Sequence, residues 1–336
     1  MITTFDNSTT ADSPWAAYSQ KLDGVNTKEA LELAGLDWTV AKCQLEYRLP
    51  IPKFNPTDEE VISPYPEKAR AYITYRTDTN HCFGVVGPNY SPLQNADAFS
   101  FLQPFLDSGD LEIERAGSFN NGAKVFFMAT RKNNSVADVA NNDPIKKYVL
   151  IANSHDGSTT LRIGYTPIRV VCQNTLEAAM RSENSQLVRV FHNGAILSNG
   201  LKASEMMAEI DRVFEGTLDE FRYLARKVVS NEKDLRRFVN HSLYRPGADH
   251  YETSFDTLHE QTDAERRVIN LFEEGRGNDN PAVRHTYWTA YNAVTEYLQY
   301  YRGKKRTVTQ EQRLSNMWFG DSKTVSGKAL ELALAA

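Results

Sequence analysis

Cysteine is scarce in this chain: three residues in 336, Cys43, Cys82 and Cys172, far apart and with no CxxC pair. That scarcity excludes a disulfide framework and a cysteine-based zinc module, and it predicts a reducing, cytosolic location. Long apolar runs are also missing. No stretch approaches the roughly 18 apolar residues that span a bilayer, and the opening MITTFDNSTTADSPW has neither the basic nor the apolar region of a signal peptide. Export and membrane insertion are therefore not expected. Positive charge is not in excess either. The chain carries 38 Lys+Arg against 43 Asp+Glu, a net charge of −5, so a polyanion would have to be held by a local patch. The seven histidines are scattered, with no HxH or HExxH. The glycines of FGVVGPNY fit neither GxGxxG nor a Walker loop. No metal and no cofactor is expected.

What is present is ordinary for a globular protein: 41% hydrophobic and 24% charged residues, in a chain long enough for two domains at about 150 residues each. Three stretches are expected. Residues 1–66 read as a polar lead-in, a short helix KEALELAG capped at Thr27 and stopped at Gly35, and a Pro-rich connector. Residues 67–200 read as an α+β sheet domain. ARAYITYR and HCFGVVG are strands, and Asn95 caps a helix over ADAFSFLQPFL that Pro104 strains. LEIERAGSF and AKVFFMATR flank Asn120-Asn121-Gly122, and KYVLIANS and TTLRIGYT flank His155-Asp156-Gly157-Ser158, which predicts two antiparallel hairpins. The apolar positions Ile168, Val171, Cys172, Leu176, Ala179 and Met180 then follow a 3.6-residue period, predicting a helix that opens at Thr166-Pro167. After a strand over QLVRVFHN, residues 201–336 read as mostly helical. The fold class predicted is α+β, an antiparallel sheet with packed helices followed by a helical C-terminal region.

The segments EALELAGLDWTV, VVGPNYSPLQNADAF, AGSFNNGAKVF, NSHDGST, PIRVVCQNTLEAA, NAVTEYL and MWFG, in this order, resemble the phage- and plasmid-encoded proteins grouped as domain of unknown function 932. One departure is Ala16 after Trp15, where that pattern more often has a histidine. The resemblance implies a mobile-element origin and a cytosolic location, without settled biochemistry.

Two sets of residues are candidates for function. The first is the turn His155, Asp156, Gly157 and Ser158, together with Gln173 and Asn174 on the polar face of the predicted helix. The Asp-Gly pair suits a tight hairpin, while the histidine and hydroxyl would suit phosphate contact. SHDG is similar to the KxDG of nucleotidyl-transferring ligases, but Ser154 stands where the adenylated lysine must be. Cys172, His155 and Asn174 are also the residue types of a cysteine hydrolase, although Cys172 falls on the apolar stripe expected of a core. The second set is basic: Arg131-Lys132 and Lys146-Lys147 at strand ends, Arg162 on a strand and Arg169 beyond it, which would track phosphates if they shared one face. The run YWTAYNAVTEYLQYYRGKKR interleaves aromatics with a basic end, as base-stacking platforms do. Its stripe Tyr287, Tyr291, Val294, Leu298 and Tyr301 favours a core or oligomer interface.

These readings lead to an expected function: a non-enzymatic, oligomeric protein that binds single-stranded nucleic acid in phage or plasmid recombination or replication. The alternatives are a module that inhibits a host defence protein, to which acidic loops would suit a basic partner, and a hydrolase centred on His155, Asp156 and Cys172.

Overall fold

Turn chemistry sets the hairpins. Asn120 and Asn121 both adopt positive φ, 52° and 56°, and Gly122 follows at 99°, so the chain reverses between β-rich stretches as the Asn-Asn-Gly sequence predicts. The computed structural model describes residues 14–50, 62–63, 66–100, 102–131, 135–159, 161–171, 174–175, 189–190, 203–255, 260–303 and 307–336.

The first part of the chain gives β1 (Ser19–Lys21), α1 (Thr27–Leu33), β2 (Val40–Tyr47), β3 (Glu67–Arg76), β4 (Cys82–Val86), α2 (Asn95–Ser100) and α3 (Gln103–Asp107). Helix α1 is capped by Asn26, one residue earlier than expected, with a reciprocal box to Glu29. Pro104 sits in the first turn of α3, where its missing N–H costs nothing, so the expected single helix is two. Strands β5 (Leu111–Phe119), β6 (Lys124–Arg131), β7 (Val136–Ala140), β8 (Asp143–Ser154), β9 (Leu161–Arg169), β10 (Asn174–Thr175) and β11 (Arg189–Val190) follow. The main sheet runs β1-β5-β6-β8-β9-β10, with β7 also on β8 and β11 also on β9. A smaller sheet is β2-β3-β4, and every pairing is antiparallel.

Alternate residues of the central strands supply two cores. Val125, Phe127, Val149, Ile151, Ile163 and Tyr165 face one side, among helical residues such as Phe99, Phe214 and Phe221. Phe126, Met128, Tyr148, Leu150 and Ile168 face the other, under Trp15, Leu314 and Trp318. Because both faces are covered, β8 is buried along nearly its whole length, with the continuous apolar run of residues 148–152 within it. Trp15 stacks on Trp318 with ring centroids 4.3 Å apart, so the lead-in is fastened to the C-terminal region by aromatic contact.

The helical region comprises α4 (Ala203–Arg226), α5 (Glu232–Leu243), α6 (Asp263–Glu274), α7 (Tyr287–Glu296), a π-helical turn (Tyr297–Tyr301), α8 (Gln310–Phe319) and α9 (Asp321–Ala335). The fold class is α+β. No helix among the described residues is long and apolar enough to cross a membrane.

One expectation fails in the sheet. Residues 166–169 are not the start of a helix but the end of β9, paired to β8 from Tyr148↔Thr166 through Ile145↔Arg169. The long-range ladder overrides a local 3.6-residue period, and β10 folds back to pair Asn174 with Arg169. Val170 and Val171 form a turn and Asn174–Thr175 are β10 rather than helix, while Cys172, Gln173 and residues 176–182, like most of QLVRVFHN, lie outside the described residues.

Arg169 shows why the strand wins. Its side chain is fully buried and forms a bidentate pair with Asp143 at the start of β8, Nε to Oδ1 at 2.7 Å and Nη2 to Oδ2 at 2.7 Å. Its remaining N–H groups donate to the Asn278 side chain at 2.9 Å and to the carbonyls of Gly277 at 2.8 Å and Arg276 at 3.3 Å. All five donors of the guanidinium are used. Trp288 in α7 donates its indole N–H to Asp143 at 2.7 Å, while Asn278 donates to the carbonyls of Leu271 and Thr289. The pair thus ties the sheet to the end of α6 and the start of α7.

Removing one partner of such a pair strands the other in the core, which typically costs 3–5 kcal/mol. Arg169→Met is therefore expected to lower the unfolding free energy by about 3–5 kcal/mol in urea titration. Arg169→Met with Asp143→Leu recovers part of the loss. A single-variant loss below about 1 kcal/mol would contradict the clamp.

Candidate nucleic-acid interface

Of the basic residues expected to track phosphate along the sheet, Arg131, Lys146 and Lys147 are held by acidic partners, Arg162 by a backbone carbonyl, and Arg169 is interior. Arg131 pairs with Asp211 of α4 at 2.8 Å, and Lys147, buried beneath that helix, pairs with the same carboxylate. Lys146 pairs with Glu114, which also accepts from the Tyr148 hydroxyl at 2.7 Å. Arg162 donates to the carbonyl of Trp318 at 3.3 Å. Arg169 is at 0% exposure, so it cannot meet a phosphate on the surface. Lys132, Cys172 and Gln173 lie outside the described residues, as does the side chain of Asn174.

The turn after β8 is a docking point between the two sheets. The His155 ring is fully buried, donates from Nε2 to Asn95 Oδ1 at 2.8 Å, and lies 5.6 Å from the Phe83 ring and 5.3 Å from the Trp38 ring. Thr74 of β3 donates its hydroxyl to the His155 carbonyl at 2.6 Å, and Tyr90 donates to the Ser154 carbonyl at 3.2 Å. Burial is the main reason that the Tyr90 phenol stays protonated well beyond the ordinary tyrosine range, reinforced by the Asp156 charge. A Cβ on Gly84 would come within 2.8 Å of the Asp156 carbonyl oxygen, so glycine is needed for the close approach of β4. Asp156 Oδ1 accepts the Ser158 N–H at 2.8 Å and Gly157 has φ +76°, which completes the turn. Gly157 and Ser158 are exposed, while His155 is interior.

Another arrangement emerges only in three dimensions. Helices α6 and α7 pack against each other so that Asn278 meets Thr289 at one end, and Arg267 lies 4.8 Å over the Tyr301 ring at the other. At that second end α6, the π-helical turn, Gly303, Val308, α8 and the start of α9 line a cleft of about 900 Å³. The π register is seen in the Arg302 N–H, which donates five residues back to the Tyr297 carbonyl at 2.8 Å. Such turns recur at functional sites.

Arg266, Arg267, Arg302 and Arg313 line the cleft with Tyr297 and Tyr301, so four cations stand there against the two carboxylates of Asp263 and Asp321. Arg266 pairs with Asp263. Among the described residues, Arg267, Arg302 and Arg313 have no carboxylate partner. Arg302 donates to the Ser322 hydroxyl at 3.1 Å, and Arg313 to the Val308 carbonyl at 2.6 Å and Gln310 Oε1 at 2.9 Å. Burial lowers the Arg313 pKa, but from so high a starting point that the guanidinium stays charged. Unpaired cations beside aromatic rings are what an anionic, ring-bearing ligand requires. Tyr287, Tyr291, Val294 and Leu298 of the aromatic run are core residues, and only its end reaches the cleft. The interleaved YLQYYR was the sequence signal for that end. The arginines of α6 and α8 carried none, because nothing local marks them as neighbours.

The buried His155 is predicted to be structural. His155→Ala should cost about 2–4 kcal/mol in urea unfolding, whereas Ser158→Ala should stay within about 1 kcal/mol. Equal, small losses would show that the ring does not lock the sheets. Among the described residues, no group of three or more His, Cys, Asp or Glu side chains is placed to hold a metal ion. No curated protein and no solved structure matches the chain. The model of one family, described as Domain of unknown function (DUF932), matches residues 82–318, a span that holds both the Arg169–Asp143 pair and most of the cleft. The chain belongs to the domain of unknown function 932 family.

Proposed function

We propose that the protein binds single-stranded nucleic acid without catalysing its breakage or joining, and that the arginine- and tyrosine-lined cleft is where the strand lies. The observation that carries this reading is the set Arg267, Arg302 and Arg313, three cations without acidic partners among the described residues, around the rings of Tyr297 and Tyr301. The cations at the sheet edge, by contrast, are neutralised by Asp211 and Glu114.

A single strand fits this chemistry better than a duplex. Its bases are free to stack on the tyrosines, worth about 1–3 kcal/mol per base, while the arginines follow the backbone charge. Duplex bases already stack on each other and offer only phosphates. A net charge of −5 keeps the rest of the surface from competing for the strand. In keeping with the mobile-element origin that the resemblance implies, the role we assign is support of phage or plasmid recombination or replication in the cytosol, by an oligomer.

Fluorescence anisotropy with labelled single- and double-stranded DNA and RNA across salt tests this. Single strands should bind tighter, with log affinity falling as salt rises. Arg267→Ala and Arg302→Ala should each weaken binding about 5- to 30-fold and reduce the salt slope by about 0.7. Arg131→Ala and Lys146→Ala should change affinity by less than about twofold. No binding at low salt, or cleft variants that bind like the wild type, would overturn the proposal.

A further inference from the structure

The cleft has a deep point and an open one. Arg267 is exposed on α6, while Arg313 is only 6% exposed although it lines the same space. The Arg313 Nη atoms donate to neutral acceptors, the Val308 carbonyl and the Gln310 side chain. Its Nε is buried with no acceptor at all. Neutral acceptors satisfy donors but leave the charge uncompensated, and a buried unpaired charge is costly. Another cation on the lining, Arg302, has the same sign and is held by the Ser322 hydroxyl. Among the described residues no carboxylate pairs with Arg313, although Asp321 lines the same space, and the cleft is the side from which an anion can arrive.

The anion's shape follows from depth. An internal phosphodiester carries one negative charge and is flanked on both sides by sugar, so it meets exposed cations such as Arg267 more readily than a recessed one. A terminal phosphate monoester protrudes from the strand. It carries about 1.5 to 2 negative charges at neutral pH and three free oxygens, which suits an arginine that donates fork-like, charge-assisted hydrogen bonds.

We infer that Arg313, supported by Arg302, forms a recessed pocket for the terminal phosphate of a single strand, so that the protein recognises phosphorylated strand ends. This rests on the nucleic-acid reading of the cleft and adds to it a preference for one kind of end. Strands with such ends are produced by nucleases that cut phosphodiester bonds, so a nuclease is the class of reaction that would supply this ligand.

The test uses the full chain and three versions of one single-stranded oligonucleotide, bearing a 5′-phosphate, a 3′-phosphate or hydroxyls at both ends, compared by competition anisotropy. One phosphorylated form should bind about tenfold tighter than the hydroxyl form, and which one does so gives the polarity. Arg313→Gln should abolish that advantage, whereas Arg267→Ala should weaken all three alike. Circular dichroism checks that Arg313→Gln is folded. If it is not, Arg302→Gln serves, with the end preference expected to shrink. Equal binding of the three forms by the wild type would overturn the inference and leave the nucleic-acid reading standing. So would an end preference that survives in a folded Arg313→Gln. No binding of any form would remove both.

Discussion

The rest of the structure hangs on one buried ion pair, Arg169 with Asp143. It sits where the last residue of β9 meets the first of β8, and the guanidinium reaches past the sheet to the loop between α6 and α7. Two charges taken out of water are tolerated only when every remaining donor finds an acceptor. Here the acceptors are backbone carbonyls of Arg276 and Gly277 and the side chain of Asn278, so the loop can satisfy the arginine in one arrangement only. Gly277 is left-handed, φ +73°, and a Cβ there would come within 3.3 Å of the guanidinium and 2.5 Å of Val171. The loop is shaped around the charge.

That clamp has consequences at a distance. It holds the closed end of the α6–α7 pair, and the opposite ends of these helices form two walls of the arginine cleft. Glu296, buried at the end of α7, accepts the Arg276 N–H at 3.1 Å. Burial raises its pKa, with Arg276 and Arg169 opposing the rise, which extends the same polar network toward the π-helical turn. The cleft and the sheet are therefore parts of one connected interior. A single hydrophobic cluster likewise runs from Leu22 and Trp38 through the strands to Leu330 in α9.

Much of this fold was legible in the sequence where local chemistry decides it. Asn120-Asn121-Gly122 and Gly157 mark reversals because few other residues tolerate positive φ, Asp156 joins the second by accepting the Ser158 N–H, and the periodic apolar stripes of α4 and α7 mark helices, although α7 is buried on every side. Legibility ended where a distant partner decides. Thr166-Pro167 with a 3.6-residue stripe reads as a helix start until β8 supplies a ladder and Asp143 a counter-charge 26 positions away. Arg169, Lys146 and Lys147 look like free cations in the chain and are not. His155, set in a turn, looks accessible and is interior, because the aromatic residues that enclose it, Trp38 and Phe83, come from elements far upstream. The candidate interface shows the converse: Arg267, Arg302 and Arg313 are unremarkable singly, and only helix packing gathers them around Tyr297 and Tyr301.

The central claim is that a single strand lies on those tyrosines. Photocrosslinking tests it most directly: an oligonucleotide carrying 5-bromouracil is irradiated with the full protein, and the adducts are mapped by mass spectrometry. The account predicts adducts on Tyr297 and Tyr301 that disappear when excess unlabelled strand is added. Adducts confined to the sheet residues 111–169, or none under conditions where the strand is bound, would contradict it.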